Sequence, residues 1–144
     1  MSEKLLNMLG LMRKANCIQI GETNTGSAAR AGQAKLMILA SDASENARSR
    51  ARGFAAAKST VSMVLPFTTE EISSHVGVHG CSMAAITDIG FANAFIKVLS
   101  QVHPDTYEEA AAQIEQKFIR AGQRKKEAEA HERNKRNGKR RTNV

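Results

Sequence analysis

Tryptophan is absent from the 144 residues, tyrosine occurs once and phenylalanine five times. So few aromatics leave little material for stacking on bases, the device many single-strand binders use. A core must instead be built from Leu, Ile, Val, Met and Ala. Cysteine is as scarce: Cys17 and Cys81 stand far apart, with no CxxC pair. That spacing argues against a structural disulfide and a cysteine-rich zinc site. Both lie in apolar surroundings, where a free cysteine is a common core residue. No apolar run approaches the ~18 residues of a membrane-spanning helix. The opening MSEKLLNMLGLMRKAN has no long apolar stretch ahead of a small-residue cleavage site. The expectation is a cytoplasmic protein with reduced thiols and no membrane partner.

Chemistry-bearing patterns are missing as well. There is no GxxxxGK phosphate loop, and no Ser/His/Asp or Cys/His arrangement has local support. The expectation is no enzyme and no cofactor. His75 and His79 are four residues apart, but Gly77 and Gly80 mark a loop and no nearby acid completes a ligand set, so no metal is expected.

What the chain does have is charge at one end. Residues 117–144 hold eleven Lys/Arg against three acids, a net of +8. Residues 1–116 hold ten against eleven, a net of −1. Clustered cations repel one another until a polyanion meets them, and Lys/Arg near phosphates release condensed counterions. Nucleic acid is the partner such a tail fits; the plainer alternative is a solvated end. The cations Arg124, Lys125, Lys126, Arg136, Lys139, Arg140 and Arg141 are the candidate contacts.

The periodicities predict alternating elements. Leu5, Leu6, Leu9, Met12 and Ala15 mark a first helix over residues 2–14. Residues 17–20 read as a strand, and 22–31 as a helix closed by Gly32, with Gly26 as a weak point inside it. The apolar run 35–40 reads as a strand covered on both faces. Asp42 with Glu45 resembles a capping box for a helix over 43–57. A strand at 60–65 stops at Pro66, and Thr68 with Glu71 caps a short helix. Residues 81–87 form the fourth strand, and Asp88 caps a helix carrying Phe91, Phe95, Val98, Leu99 and Val102, broken by Pro104. Tyr107, Ala111, Ile114, Phe118 and Ala121 then form a seam that needs either the body or a partner chain to pack on. Helix is expected to fade after Ala121 or by Arg133, leaving 134–144 disordered. The fold class is α/β, a three-layer α/β/α sandwich around a four-stranded mixed sheet with a basic helical C-terminal extension. The division is a domain at 1–103, an amphipathic helix at 104–121 and a basic tail at 122–144. Strand order is not readable.

Three segments carry a resemblance. They are Leu9-Gly10-Leu11-Met12-Arg13-Lys14-Ala15 followed by Ile20-Gly21-Glu22, then residues 34–46 (AKLMILASDASEN), then residues 84–92 (AAITDIGFA). In this order they resemble the YlxQ-like bacterial proteins, which belong to the kink-turn RNA-binding superfamily of archaeal and eukaryotic large-subunit ribosomal proteins. The resemblance implies RNA binding without catalysis, with rRNA, another structured RNA or the ribosome as partner. It implies two grips on RNA. One is the start of the second helix, here Gly21, Thr23, Asn24 and Ser27, with Arg30 one turn on. The other is the loop before the last strand, near His75, Val76, Gly77 and Val78, which would contact an extruded base. The superfamily usually has Asn-Glu where Thr23-Asn24 stands and Lys where Ser27 stands. A Glu accepts from guanine N–H groups and a Lys meets phosphate; Asn24 supplies part of the first, and Ser27 supplies no charge. The tail is therefore expected to provide affinity, and the two grips shape selectivity. Read as residues alone, Thr23, Asn24 and Thr25 also serve as helix caps. The rival function is a protein-interaction module using the Tyr107–Ala121 helix. Oligomeric state stays open, with a monomer the favoured reading.

Overall fold

The computed structural model describes the backbone of residues 2–142 and the side chains of residues 2–135. The chain alternates α1 (Ser2–Lys14), β1 (Ile18–Ile20), α2 (Glu22–Arg30), β2 (Leu36–Leu39) and α3 (Glu45–Ala57). It continues with β3 (Ser62–Val64), α4 (Thr69–Val76), β4 (Met83–Ile86), α5 (Ile89–Val102) and α6 (Pro104–Thr142). The strands pair in the order β1-β4-β2-β3. Strands β2 and β3, joined by α3, run parallel; β4 is antiparallel to both β1 and β2. The sheet is therefore mixed, as expected.

Alternation along the strands builds two cores. Leu36 and Ile38 of β2 and Ala84 and Ile86 of β4 face α1, α4 and α5, meeting Leu5, Leu9, Met12, Ile72, Phe95 and Ile96. Met37, Leu39, Met83 and Ala85 face the other way, onto the alanines of α2 and α3. Burial on both faces explains why the β2 run is continuously apolar. Met12, Met37, Met63 and Met83 are all core residues. Cys81 is buried, and burial pushes its thiol up to about 11, so it stays protonated and inert.

Close approaches explain two interior glycines. A Cβ on Gly10 would sit 2.9 Å from His75 O, so α1 rests directly on the backbone of α4. A Cβ on Gly26 would come 2.9 Å from the Phe54 ring, which fills the gap between α2 and α3. The weak point inside α2 is thus a packing site.

Two elements differ from expectation. Ser44, not Asp42, caps α3, its Oγ accepting from Ala47 N at 3.1 Å. Asp42 instead reaches across the chain and accepts from Thr69 N at 2.8 Å and Thr69 Oγ at 2.7 Å. These bonds, the hydroxyl first, hold the Asp42 carboxyl below its ordinary value. The Thr68–Glu71 capping box forms as read. The larger difference is α6. It begins at Pro104, where a helix tolerates proline, and runs without a break to Thr142. No boundary appears at Ala121, and the backbone of 134–142 is helical rather than irregular. Good helix formers (Gln, Arg, Lys, Glu, Ala) dominate beyond Gly122, and Lys125, Glu129 and Arg133 recur at four-residue steps.

The seam question is answered in favour of the body. Tyr107 and Ile114 are buried in the larger core, with Ala110 and Ala111 against it. Tyr107 OH donates to Val64 O at 2.7 Å. Lys97 of α5 pairs with Glu115 at 3.5 Å. The first half of the seam, through Ile114, is spent on its own chain, while Phe118 at its far end is 41% exposed.

Candidate nucleic-acid interface

The strand registers give the sheet two poles. Ile20 pairs with Ala84, and Leu39 with both Met83 and Val64, so the ends of β1, β2 and β3 meet the start of β4. The turn into α2 and the loop from α4 into β4 therefore share one pole. Gly21 N donates to Met83 O at 2.9 Å and fastens that turn to β4. Thus the two grips implied by the resemblance, remote in sequence, are neighbours.

At the first grip, Gly21 adopts φ 93°, a left-handed conformation that glycine takes without strain. It caps α2 without a side chain, so no side chain satisfies the first-turn N–H groups. Such a turn is a donor set for phosphate or carbonyl oxygen. Thr23, Asn24 and Ser27 are exposed around it, while Thr25 is fully buried and removed from any interface. Asn24 Nδ2 donates to Ile20 O at 2.9 Å, leaving the amide oxygen as the acceptor it can present. The acid of the turn, Glu22, is paired with Arg50. Arg30 lies in the last turn of α2, with its guanidinium 5.9 Å from the Phe54 ring centre. Nine residues of helix span about 13 Å, which puts Arg30 at the far pole from Gly21.

The second grip is the end of α4. His75 is half-buried, its Nδ1 2.9 Å from Glu71 O. Val76 is 4% exposed and belongs to the core, so its side chain offers RNA nothing. Gly77 ends the helix in the left-handed conformation, φ 74°. Val78 is half-buried, packed against the core from the loop. Ser73 Oγ anchors the loop's far end by accepting from Cys81 N at 2.8 Å. A concavity of about 720 Å³ lies beside it, lined by Asp42, Thr69, Glu70, Gly77, Val78 and His79.

Electrostatically this pole is not a cationic surface. Glu70 and Asp42 line its concavity. Arg48 is turned to backbone, donating from its guanidinium to Ala43 O at 3.2 Å and Ser41 O at 2.9 Å. Arg52 pairs with Glu45 at 3.1 Å. What the pole presents is N–H donors, hydroxyls, an amide and a half-open glycine loop. On α6, Arg124, Lys125 and Lys126 are exposed. The side chains of Arg136, Lys139, Arg140 and Arg141 lie outside the described residues. Among the described residues no group of three or more His, Cys, Asp or Glu could hold a metal, and no helix is long and apolar enough to cross a membrane.

No protein-family model and no curated protein matches the chain. Solved structures do. A protein with unknown function from Bacillus halodurans C matches with a TM-score of 0.62 at 24% identity, over 67% of this chain and 97% of its own. The Giardia lamblia 15.5kD RNA binding protein matches with a TM-score of 0.56 at 18% identity, over 72% of this chain and 88% of its own. At these identities what the chain shares with them is the α/β fold.

Proposed function

We propose that this chain is a non-enzymatic RNA-binding protein, akin to the YlxQ-like proteins, that recognises a structured RNA of the ribosome or a comparable particle. The observation that carries the reading is the meeting of the Gly21 turn and the α4–β4 loop at one pole. A fold shared with an RNA-binding protein supports it, as does the +8 of residues 117–144. Body and extension divide the work. The Gly21 pole, poor in free cations, supplies shape selectivity through Thr23, Asn24, Ser27 and the loop at His75, Gly77 and Val78. The exposed length of α6 supplies electrostatic affinity, which carries no sequence information.

Two variants test this division. Asn24→Ala removes the one amide at the first grip. It is expected to narrow the preference for a kink-turn RNA over a plain duplex about tenfold, the scale of one good polar contact, with little change in salt dependence. Replacing Lys139, Arg140 and Arg141 together by Gln is expected to weaken both RNAs alike and lower the salt slope by about 2. Binding isotherms for both RNAs at several salt concentrations read both effects, and the reverse pattern would refute the division.

A further inference from the structure

The other pole of the sheet holds a second feature. Here the starts of β2 and β3 meet the end of β4, through the pairs Leu36 with Ile86 and Met37 with Ser62. The C-terminus of α2, the α3–β3 turn and α6 enclose a cleft of about 330 Å³. Five cations line it: Lys35, Lys58, Lys117, Arg120 and Arg124. No carboxylate does. None of the five has an ion-pair partner among the described residues, and what sets them apart is that all five converge on one cleft.

The cleft is built, not incidental. Helices α2 and α3 both end there in left-handed turns, at Gly32 with φ 72° and Ser59 with φ 52°. Each turn is closed by a six-to-one backbone bond, Gln33 N to Ala28 O and Thr60 N to Ala55 O, both 2.9 Å. Ser59 holds this conformation without being glycine, and Lys117 Nζ donates to Ser59 O at 3.4 Å, tying α6 to the turn. The plain explanation is that the cations answer the negative ends of two helices. Those ends amount to about half a charge each, so roughly four of the five positive charges remain unanswered. Of the acids close in sequence to lining residues, Asp88 caps α5 by accepting from Phe91 N at 2.9 Å and Glu115 pairs with Lys97 at 3.5 Å.

We propose that this cleft is a phosphate clamp for an RNA strand, at the pole opposite the Gly21 grip and opening onto the exposed cations of α6. RNA seated at the Gly21 pole would then be continued, or met by a second strand, at the far end of the sheet. The inference rests on the RNA-binding reading and adds a second contact to it.

The test compares the full chain with two triple variants of equal charge. One is Lys35→Gln, Lys58→Gln and Arg120→Gln in the cleft. The other is Lys4→Gln, Arg52→Gln and Lys97→Gln outside it. The probe is a single-stranded oligouridylate of about 20 nucleotides, with binding followed against salt. Lys117 is left in place because it holds α6 to the body. Each phosphate contact contributes about 0.7 to the slope for single strands, so the cleft variant is expected to lose about 2 in slope and about a hundredfold in affinity near 0.1 M salt. The outer variant is expected to lose less than about 1 in slope. If wild type binds and the two variants behave alike, the clamp is overturned and RNA binding stands. If wild type binds a kink-turn RNA but not the oligouridylate, the clamp is overturned; if it binds neither, the functional reading falls and the clamp with it.

Discussion

Ending the chain after Ala121 is expected to cost RNA affinity about ten-thousandfold near 0.1 M salt, and to lower the salt slope by about 4. The deletion removes nine Lys/Arg and three acids, a net of +6. At about 0.7 per contact on a single strand, six engaged phosphates account for that slope. The folded body should not notice. Tyr107, Ile114 and Lys117, the residues that bind α6 to the body, all precede the cut. Every described residue from Gly122 to Lys135 is exposed apart from a half-buried Ala130. The thermal midpoint of the shortened protein should match that of the full chain. Retained affinity with an unchanged slope would show that the extension does not touch RNA.

The second large effect concerns what that extension is anchored by. Ile114→Ala is expected to destabilise the protein by about 2–4 kcal/mol, the usual cost of emptying a fully buried isoleucine site. Ile114 is 0% exposed and lies in the same core as Phe95 and Leu99. Thermal unfolding followed by circular dichroism should show a midpoint lower by about 10 °C. Phe118→Ala, at a position 41% exposed, should cost less than half as much. Equal costs at the two positions, or none at Ile114, would mean that α6 does not belong to the body's core.

Much of this fold was legible in the sequence, for local reasons. Leu5, Leu6, Leu9 and Met12 share one helix face whatever they pack on, so α1 is found at residues 2–14 as the periodicity predicts. The capping box of Thr68 and Glu71 and the Asp88 cap are contacts between residues three apart. Legibility fails where a distant partner decides. Asp42 is as good a cap as Ser44 by residue type, but Thr69, 27 residues away, takes its carboxylate. Strand order was closed to reading because β4, last in the chain, inserts between β1 and β2.

The same limit shaped the site. Gly21 and the α4–β4 loop were named through resemblance; that they share a pole is a consequence of the β1–β4 register, which no local pattern encodes. Val76 and Thr25 look available as residue types and are buried as neighbours. The cationic cleft was not legible as a site, though Arg124 of its lining stood among the candidate contacts. Its members come from the α2–β2 loop, the α3 end and α6, and only a long α6 folded back along α5 brings them together. The hint available was its composition: basic residues Lys35 and Lys58 sit just past two helix ends, with no acid in either turn. Continuity of α6 past Ala121 was hidden for a different reason. Once the apolar seam ends, periodicity is silent, and only propensity and charge spacing speak for helix.

The charge at the C-terminal end thus has a structural context. It is carried on an uninterrupted helix rooted in the core, whose first free turns close a basic cleft at one pole. The opposite pole, where charge is balanced, holds the groups proposed to read RNA shape. The most direct measurement is ultraviolet crosslinking of the full chain to RNA in cells, with both the recovered RNA and the crosslinked peptides identified. The account predicts structured RNA, recovered repeatedly at the same sites, joined to peptides from residues 21–27 and 75–79 as well as from α6. Crosslinks confined to α6 on scattered, unstructured RNA would contradict it.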